Sequence, residues 1–355
     1  MIRGGESGTA EERRTALDRF LAAAGWAGIA PAMLAGDASF RRYYRLTDAG
    51  RRAVLMDAPP PMEDVGPFIA VAEILRDLGL SAPEIYAEDR RHGFLLIEDF
   101  GDDVYTRLLA RGADESALYA LAIDTLAALH RAVAERGWPA LPPYDETRLL
   151  DEAALLADWY APSVLGGALP DAARDDYLAR WREILPFAAL PLGAQNGPTL
   201  VLRDYHVDNL MLLPGRPGVR ACGLLDFQDA VCGPASYDVV SLLEDARRDV
   251  PGDLGAAMTK RYLASFPQID RAAFARSAAI LAAQRNCKII GIFTRLWRRD
   301  GKPAYLAHIP RVWRLLEDDL GREKALRPIA DWLDRHLPPN LRRVPRTASP
   351  QVEAV

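Results

Sequence analysis

From residue 11 to residue 26 apolar side chains recur every three or four positions, at Ala16, Leu17, Phe20, Leu21 and Ala24, a spacing that predicts an amphipathic helix. The period then shortens. Residues 39–47 and 53–56 read as two strands about the turn Asp48-Ala49-Gly50. Pro59-Pro60-Pro61 breaks the chain, and Phe68, Val71, Ala72, Leu75 and Leu78 restore a helical stripe that Gly79 stops. Residues 85–88 and 93–97 read as two further strands. Helix, two strands, helix, two strands is the order of a small α+β lobe closing near Glu98.

Beyond Gly101 the pattern is mainly helical, with predicted helices over 116–134, 151–159 and 171–185. Pro198 opens a short strand-rich block that runs to Ala230. Helices resume at Tyr237 and continue to His336, with Pro251 and Pro310 as expected interruptions. Residues 338–355 have the composition of a tail, and residues 1–10 that of a frayed start. The expected organisation is therefore a lobe over 11–98, a larger helical lobe over 99–337 and a tail over 338–355. No internal repeat or coiled-coil heptad is visible.

Composition narrows the classes. Half of the 355 residues are hydrophobic, enough for one large domain or two lobes. A net charge of −5 and a pI near 5.7 argue against nucleic acid as the partner, since phosphate backbones select basic surfaces. No window approaches 18 uninterrupted apolar residues, and the start, MIRGGESGTAEERR, has no apolar core of a secretory signal. Cys222, Cys232 and Cys287 have no C-x-x-C spacing, which suits reduced thiols in or near a core rather than a zinc site. A cytoplasmic protein without a membrane partner, and with no obligate protein partner evident, is expected.

The strand-rich block carries the candidate chemistry. Residues 199–202 read as a strand, 203–208 as a polar loop, 210–213 as a second strand, and 223–225 as a third that delivers Asp226-Phe227-Gln228-Asp229. The turn Pro214-Gly215-Arg216-Pro217-Gly218 folds this into a hairpin, so Asn209 and Asp226 can come together. Asp204, Asp208, Asn209, Asp226 and Asp229 offer several oxygen donors with no cysteine or histidine cluster, the taste of a hard cation such as magnesium. Phosphoryl transfer needs that cation, and a carboxylate to orient the attacking hydroxyl. An Asp, four residues, then an Asn, with another Asp on the returning strand, is the protein-kinase order of base, metal ligand and metal ligand, here Asp204, Asn209 and Asp226.

With these motifs in place, the chain resembles the aminoglycoside phosphotransferase family, which has the bilobal protein-kinase-like fold, from about Arg14 to His336. The stretches GDASFRRYYRL from Gly36, VLMDAPP from Val54, RDYHVDNLM from Arg203 and LLDFQDAVCGPASYDVVSLLEDARRD from Leu224 look like its anomeric sugar kinases of cell-wall recycling. The resemblance implies an α+β fold with a nucleotide-binding lobe over 11–98 and a catalytic, substrate-binding lobe over 99–337. It implies ATP and Mg²⁺ as cofactors, and phosphorylation at the C1 hydroxyl of N-acetylmuramate and N-acetylglucosamine. It carries the role of base to Asp204 and of metal ligands to Asn209 and Asp226. Ser39, Phe40 and Arg41 would lie in the loop over the nucleotide phosphates, and Glu98 and Phe100 in the linker whose backbone bonds adenine. Asp238 would brace the catalytic loop, and Glu73 would be the helix carboxylate that pairs with the nucleotide-binding lysine. Two positions depart from the family's pattern. Leu202 stands where a histidine usually precedes the base, and Met56 stands where the strand lysine is expected. Arg41, Arg42 or Arg45 would then supply the missing cation, unless the strand register differs.

The acceptor side is read from the segment 282–299, where Arg285, Lys288, Arg295 and Arg299 share one helical face. That face is either solvated or a site for a neutral or anionic sugar, with Arg285 and Arg295 contacting it; a polycationic aminoglycoside suits neither. His206 could bond the acceptor sugar or brace its loop, and Asp229 could touch substrate or cap a helix. His92, His130, His308 and His336 read as structural or surface residues, and Trp138, Trp159, Trp181, Trp297 and Trp313 as core. Other readings of the same block are a kinase of another small alcohol (an aminoglycoside, choline or homoserine), or a non-catalytic nucleotide-binding module, which Met56 alone favours.

Overall fold

In the computed structural model, which describes residues 10–36, 40–137, 139–190 and 198–346, packing divides the chain into two compact units. One comprises Met1–Thr125 and Val207–Ala230, the other Leu126–His206 and Val231–Val355. The lobe boundary expected after Glu98 divides the chain by sequence order, whereas packing groups residues 207–230 with the N-terminal segment.

The first unit begins with α1 (Ala10–Ala23), then β1 (Ala32–Gly36), β2 (Arg42–Asp48) and β3 (Arg51–Asp57). It continues through α2 (Gly66–Asp77), β4 (Ile85–Asp89), β5 (Phe94–Ile97), α3 (Tyr105–Ala110) and α4 (Glu115–Arg136), within which the boundary falls. Five antiparallel strands form one sheet in the order β1-β2-β3-β5-β4. The tight turn between β2 and β3 uses Ala49 and Gly50 at positive φ, the backbone twist that suits a two-residue hairpin. Phe20, Leu21 and Trp26 cover Leu46, Ala53, Leu55, Phe94 and Leu96, so the predicted helical stripe finds its apolar partner on one face of the sheet. Burying each of these large side chains contributes roughly 1.5–3 kcal/mol. The edge strand β1 was not expected from the sequence. Ala32-Met33-Leu34-Ala35-Gly36 holds no β-branched residue, and only its pairing with β2 makes it a strand. By length and composition α4 could span a bilayer, but 56% of that apolar window is buried in the fold, as in a core helix.

The second unit contains α5 (Glu146–Leu155), a π-helical turn over Leu156–Tyr160, α6 (Ala161–Leu165) and α7 (Asp171–Ile184). Of the short strands that follow, β6 (Thr199–Val201) pairs with β9 (Val231–Gly233) in this unit, while β7 (Leu210–Leu212) pairs with β8 (Cys222–Leu224) in the first. The helices α8 (Ser236–Leu243), α9 (Gly252–Ala264), α10 (Arg271–Asp300), α11 (Ile309–Arg322) and α12 (Arg327–His336) complete it. The axis of its core is α10, whose residues 280–291 are all buried and pack with Trp181, Trp313 and Trp332. A Cβ on Gly291 would lie 2.3 and 2.4 Å from the backbone C and O of Leu155, so glycine is what lets α10 approach the end of α5.

The α-helical run breaks after Leu243 and after Asp300, near the two expected prolines; Pro251 immediately precedes α9 and Pro310 lies in the first turn of α11, where a missing amide costs nothing. Two expectations are corrected. The basic segment over 282–299 is only the second half of α10. Residues 338–346, read as tail, are packed: Arg342 pairs with Glu317 and Asp334 at 2.8 and 2.5 Å, and the Tyr160 hydroxyl donates to the Leu341 carbonyl at 2.7 Å. Trp138 lies outside the described residues, and Trp159 and Trp297 are half-buried.

Candidate active site

The hairpin of β7 and β8 sets the first part of the site. Leu210 pairs with Leu224, Met211 with Gly223 and Leu212 with Cys222, and the Leu225 amide donates to the Asn209 carbonyl at 3.0 Å. This register continues to Asn209 opposite Leu225, so Asn209, at the entry to β7, and Asp226, just past the end of β8, are offset by one position across the hairpin. Asp226 adopts φ 55°, a left-handed conformation that costs a non-glycine residue of the order of 1–2 kcal/mol. Its Oδ1 accepts from Gln228 Nε2 at 2.9 Å and from Arg41 Nη2 at 3.2 Å. The Asp208 carboxylate accepts from the hydroxyl of Thr106 on α3, and Asp229 is exposed. No group of three His, Cys, Asp or Glu side chains among the described residues forms a protein cage for a metal. One amide oxygen and one carboxylate fit magnesium, which keeps several waters and takes its remaining ligands from substrate phosphates.

Asn209 and Asp226 line a cavity of about 490 Å³ within the first unit, with apolar walls that include Leu34, Val54, Ile97, Met211 and Leu225. Along it runs the linker of residues 98–102. Arg45 on β2 fixes that linker: its guanidinium reaches both Asp99 oxygens at 2.8 and 2.9 Å, the Gly101 carbonyl at 3.0 Å and Asp102 at 3.0 Å. Arg216 pairs with Glu98 and lies over the Phe100 ring at 5.1 Å. Phe100 in turn rests on Gly223, where a Cβ would meet the ring at 2.8 Å. The Glu98 amide already donates to the Glu84 carbonyl at 2.8 Å. That leaves the Glu98 carbonyl and the Phe100 amide as the linker groups suited to bond a base.

The strand position expected to carry lysine is Met56, wholly buried, between Tyr43 on β2 and Leu95 on β5. Of the three alternative cations, Arg42 is exposed and Arg45 is engaged by the linker. Arg41 is only 9% exposed and sits between Asp226 and Glu63, with Nε 3.8 Å from Glu63 Oε2. Glu63 Oε1 also accepts from the Phe40 amide at 3.0 Å, while the Phe40 ring is exposed. Ser39 lies outside the described residues. Glu73 corrects an expectation, for its side chain is exposed on α2, and the carboxylate paired with an arginine is Glu63. Nothing in the sequence singled out Glu63; its only signal is a carboxylate between a proline run and a helix start.

In the second unit the loop after β6 carries Asp204. Asp238, wholly buried in α8, accepts from the Leu202 and Arg203 amides at 2.6 and 2.9 Å. These two bonds hold Arg203 at φ 69°, and Ser241 Oγ donates to the Arg203 carbonyl at 3.1 Å. Burial pushes the Asp238 carboxyl up to about 7 against the pull of the two amides. The Arg203 guanidinium pairs with Glu152, which also takes Lys288 Nζ at 3.0 Å and the Tyr144 hydroxyl. Burial alone would raise the Asp204 carboxyl, but the charges that face it, Lys288 foremost among them, outweigh burial and hold the carboxyl below the usual range. Burial would likewise strip Lys288 of its proton, and Tyr237 and Glu152 keep it there.

His206 is 5% exposed, with Arg247 Nη1 3.5 Å from its Nε2; burial first and Arg247 second hold the ring below its ordinary pKa, so it is neutral. The cations of α10 do not form one solvated face. Arg285 and Lys288 are buried, and Arg285 donates to the Glu244 carbonyl at 3.2 Å. Arg298 and Arg299 are exposed, with Arg299 paired to Asp300 at 2.7 Å. Arg295 lies between these extremes, and its Nε has no hydrogen-bond partner among the described residues. The sequence found the cations of α10 by type and spacing but not the Glu152 carboxylate that Lys288 shares with Arg203.

Comparison with known proteins bears directly on this arrangement. The chain is 37% identical to the N-acetylmuramate/N-acetylglucosamine kinase of Caulobacter vibrioides, over 94% of this chain and 99% of that one. It is 40% identical to the kinase of the same name from Pseudomonas aeruginosa, over 89% and 92%. The fold is similar to that of choline kinase LicA from Streptococcus pneumoniae, with a TM-score of 0.60 at 11% identity over 87% of this chain and all of that one. It is also similar to the GDP complex of aminoglycoside 2'-phosphotransferase-IIIa, with a TM-score of 0.57 at 17% identity over 87% and 98%. The profile of the phosphotransferase enzyme family (APH) matches residues 32–275, a span that holds the sheet, the linker, the hairpin and the loop around Asp204. With that match and relatives of this identity along most of its length, the chain belongs to the phosphotransferase enzyme family and has its protein-kinase-like fold.

Proposed function

We propose that the protein is a cytoplasmic, ATP- and Mg²⁺-dependent sugar kinase that phosphorylates the C1 hydroxyl of N-acetylmuramate and N-acetylglucosamine, feeding cell-wall recycling. The observation that carries the phosphotransfer part is the hairpin that brings Asn209 and Asp226 to line one apolar cavity walled by the linker. The substrate part is supported by four relatives at 34–40% identity, each named for those two sugars.

In this reading residues 11–98 form the nucleotide-binding lobe and residues 99–337 the catalytic and substrate-binding lobe. Glu98 and Phe100 bond adenine through the linker backbone, and Ser39, Phe40 and Arg41 attend the phosphates. Asn209 and Asp226 hold the metal, which when bound neutralises charge on the transferring phosphoryl group. Asp204 orients the acceptor hydroxyl and takes its proton, a role that needs the ionised carboxylate its neighbouring cations maintain. Neutral His206 offers a ring nitrogen to a sugar hydroxyl, and Asp229, Arg285 and Arg295 complete the acceptor side, the arginines suiting an acid-bearing sugar.

The test is incubation with ATP, magnesium and a panel of N-acetylated sugars, aminoglycosides and choline, followed by phosphorus NMR. An anomeric phosphate on the amino sugars is the expected product; phosphorylation at C6, or of choline or an aminoglycoside alone, would overturn the assignment. Asp204→Asn should lower turnover by about a thousandfold or more while leaving nucleotide affinity within about threefold, since the base acts on the acceptor and not on the nucleotide.

A further inference from the structure

We propose that Arg41 is the cation that binds the nucleotide's polyphosphate in place of the lysine that Met56 replaces, and that Glu63 is the carboxylate that positions it. The proposal rests on the nucleotide-site reading above and deepens it. A triphosphate held in a low-dielectric cleft needs a fixed cation, and a buried thioether supplies none. Arg42 points to solvent at the end of β2, and Arg45 has its donors on Asp99, Gly101 and Asp102. Arg41 alone among the three reaches the metal-ligand carboxylate, with Nη2 3.2 Å from Asp226 Oδ1.

Glu63 supplies the second, independent observation. One of its oxygens takes the Phe40 amide at 3.0 Å and the other stands 3.8 Å from Arg41 Nε. A single carboxylate thus bonds the backbone that follows the phosphate loop and stands beside the guanidinium as its ion-pair partner. This is the work that a helix glutamate does for a strand lysine in the protein-kinase plan, moved here to the turn before α2, which explains why Glu73 is free to face solvent. Asp226 and Glu63 would hold the guanidinium beside the site, where its planar fork could bond an anion in a way that a methionine cannot; a divalent cation, if bound by Asp226, would supply further positive charge there.

Calorimetric titration of the full chain with Mg-ATP, Mg-ADP and adenosine tests this without relying on turnover. In Arg41→Gln the affinity for Mg-ATP should fall about 10- to 100-fold, while adenosine, which carries no phosphate, should bind within about twofold of the unaltered chain. Arg41→Lys should keep most of the affinity, and Glu63→Gln should lose about 3- to 10-fold with the same sparing of adenosine. Should Arg41→Gln fail to fold, Arg41→Lys and Glu63→Gln carry the same comparison. Wild-type affinity for Mg-ATP in Arg41→Gln would overturn the proposal alone, and an equal loss for adenosine would reduce Arg41 to a structural ion pair. An unaltered chain that binds none of the three ligands would overturn the nucleotide-site reading and this proposal together.

Discussion

Asp204 owes its charge to a contest that Lys288 decides. Burial favours the protonated acid, and the cations around it, Lys288 first, favour the carboxylate more strongly. The expected consequence concerns pH. Removing the charge in Lys288→Met should raise the Asp204 pKa, so if Asp204 is the base as proposed the acid limb of the kcat profile should move to higher pH, with little change on the alkaline side. A limb that stays in place would separate Lys288 from Asp204. Such roles differ in how far the sequence discloses them. Asp204, Asn209 and Asp226 lie close together in the chain, so residue type and order single them out as candidates. Glu63 and Glu152 meet their partners Arg41 and Lys288 only after folding, and no local pattern marks such pairings. Met56 was legible as a missing lysine; its replacement required knowing which neighbouring arginine was already committed, and Arg45 is committed to the linker.

Among the elements, the helices were readable because their apolar stripes are long enough to show a 3.6-residue period, as in α1, α2 and α4. The strand β9 holds three residues, too few for any period, and β1 has the composition of a helix edge, whereas β6 shows as an apolar run. Pairing partners, not propensity, make β1 and β9 strands. The length of α10 was under-read because its first half is Ala-rich, and its packing against α5 depends on one position. At Gly291 two effects oppose each other: alanine gains about 1 kcal/mol of helix propensity, yet its Cβ would press on the backbone of Leu155. The clash should win, because backbone cannot rotate away. Gly291→Ala should therefore cost about 2–4 kcal/mol in urea denaturation, with the midpoint falling and the slope unchanged. A stabilised variant would mean that α5 yields at its π-helical turn.

For the whole molecule, the group most exposed to pH is a buried acid rather than the site. Asp319 is wholly buried, and burial with the nearby Glu244 pushes its carboxyl up to about 9, while Asn286 Nδ2 donates to both acids at 3.1 and 3.3 Å. An acid whose folded pKa exceeds its unfolded value stabilises the fold most below the unfolded pKa, near 4, and that stability is lost as pH rises through the folded pKa. Melting temperature should accordingly fall from about pH 5 toward about pH 9, and Asp319→Asn should flatten the decline, gaining about 3–6 °C near pH 8 and little near pH 5. An unchanged slope would place the titrating group elsewhere. The interleaving of the two units has a consequence in time. Residues 10–125 leave the ribosome first, but the β7–β8 hairpin that completes their unit follows only after residues 126–206, and it seats through the Leu224 amide on the Ser81 carbonyl at 2.8 Å. At about 5–20 residues per second the five-stranded sheet waits several seconds for that hairpin. A nascent chain halted before Ala230 would hold the sheet and the linker yet lack a seated Asn209 and Asp226. The two proposed metal ligands would therefore be seated only after residues 126–206 have emerged.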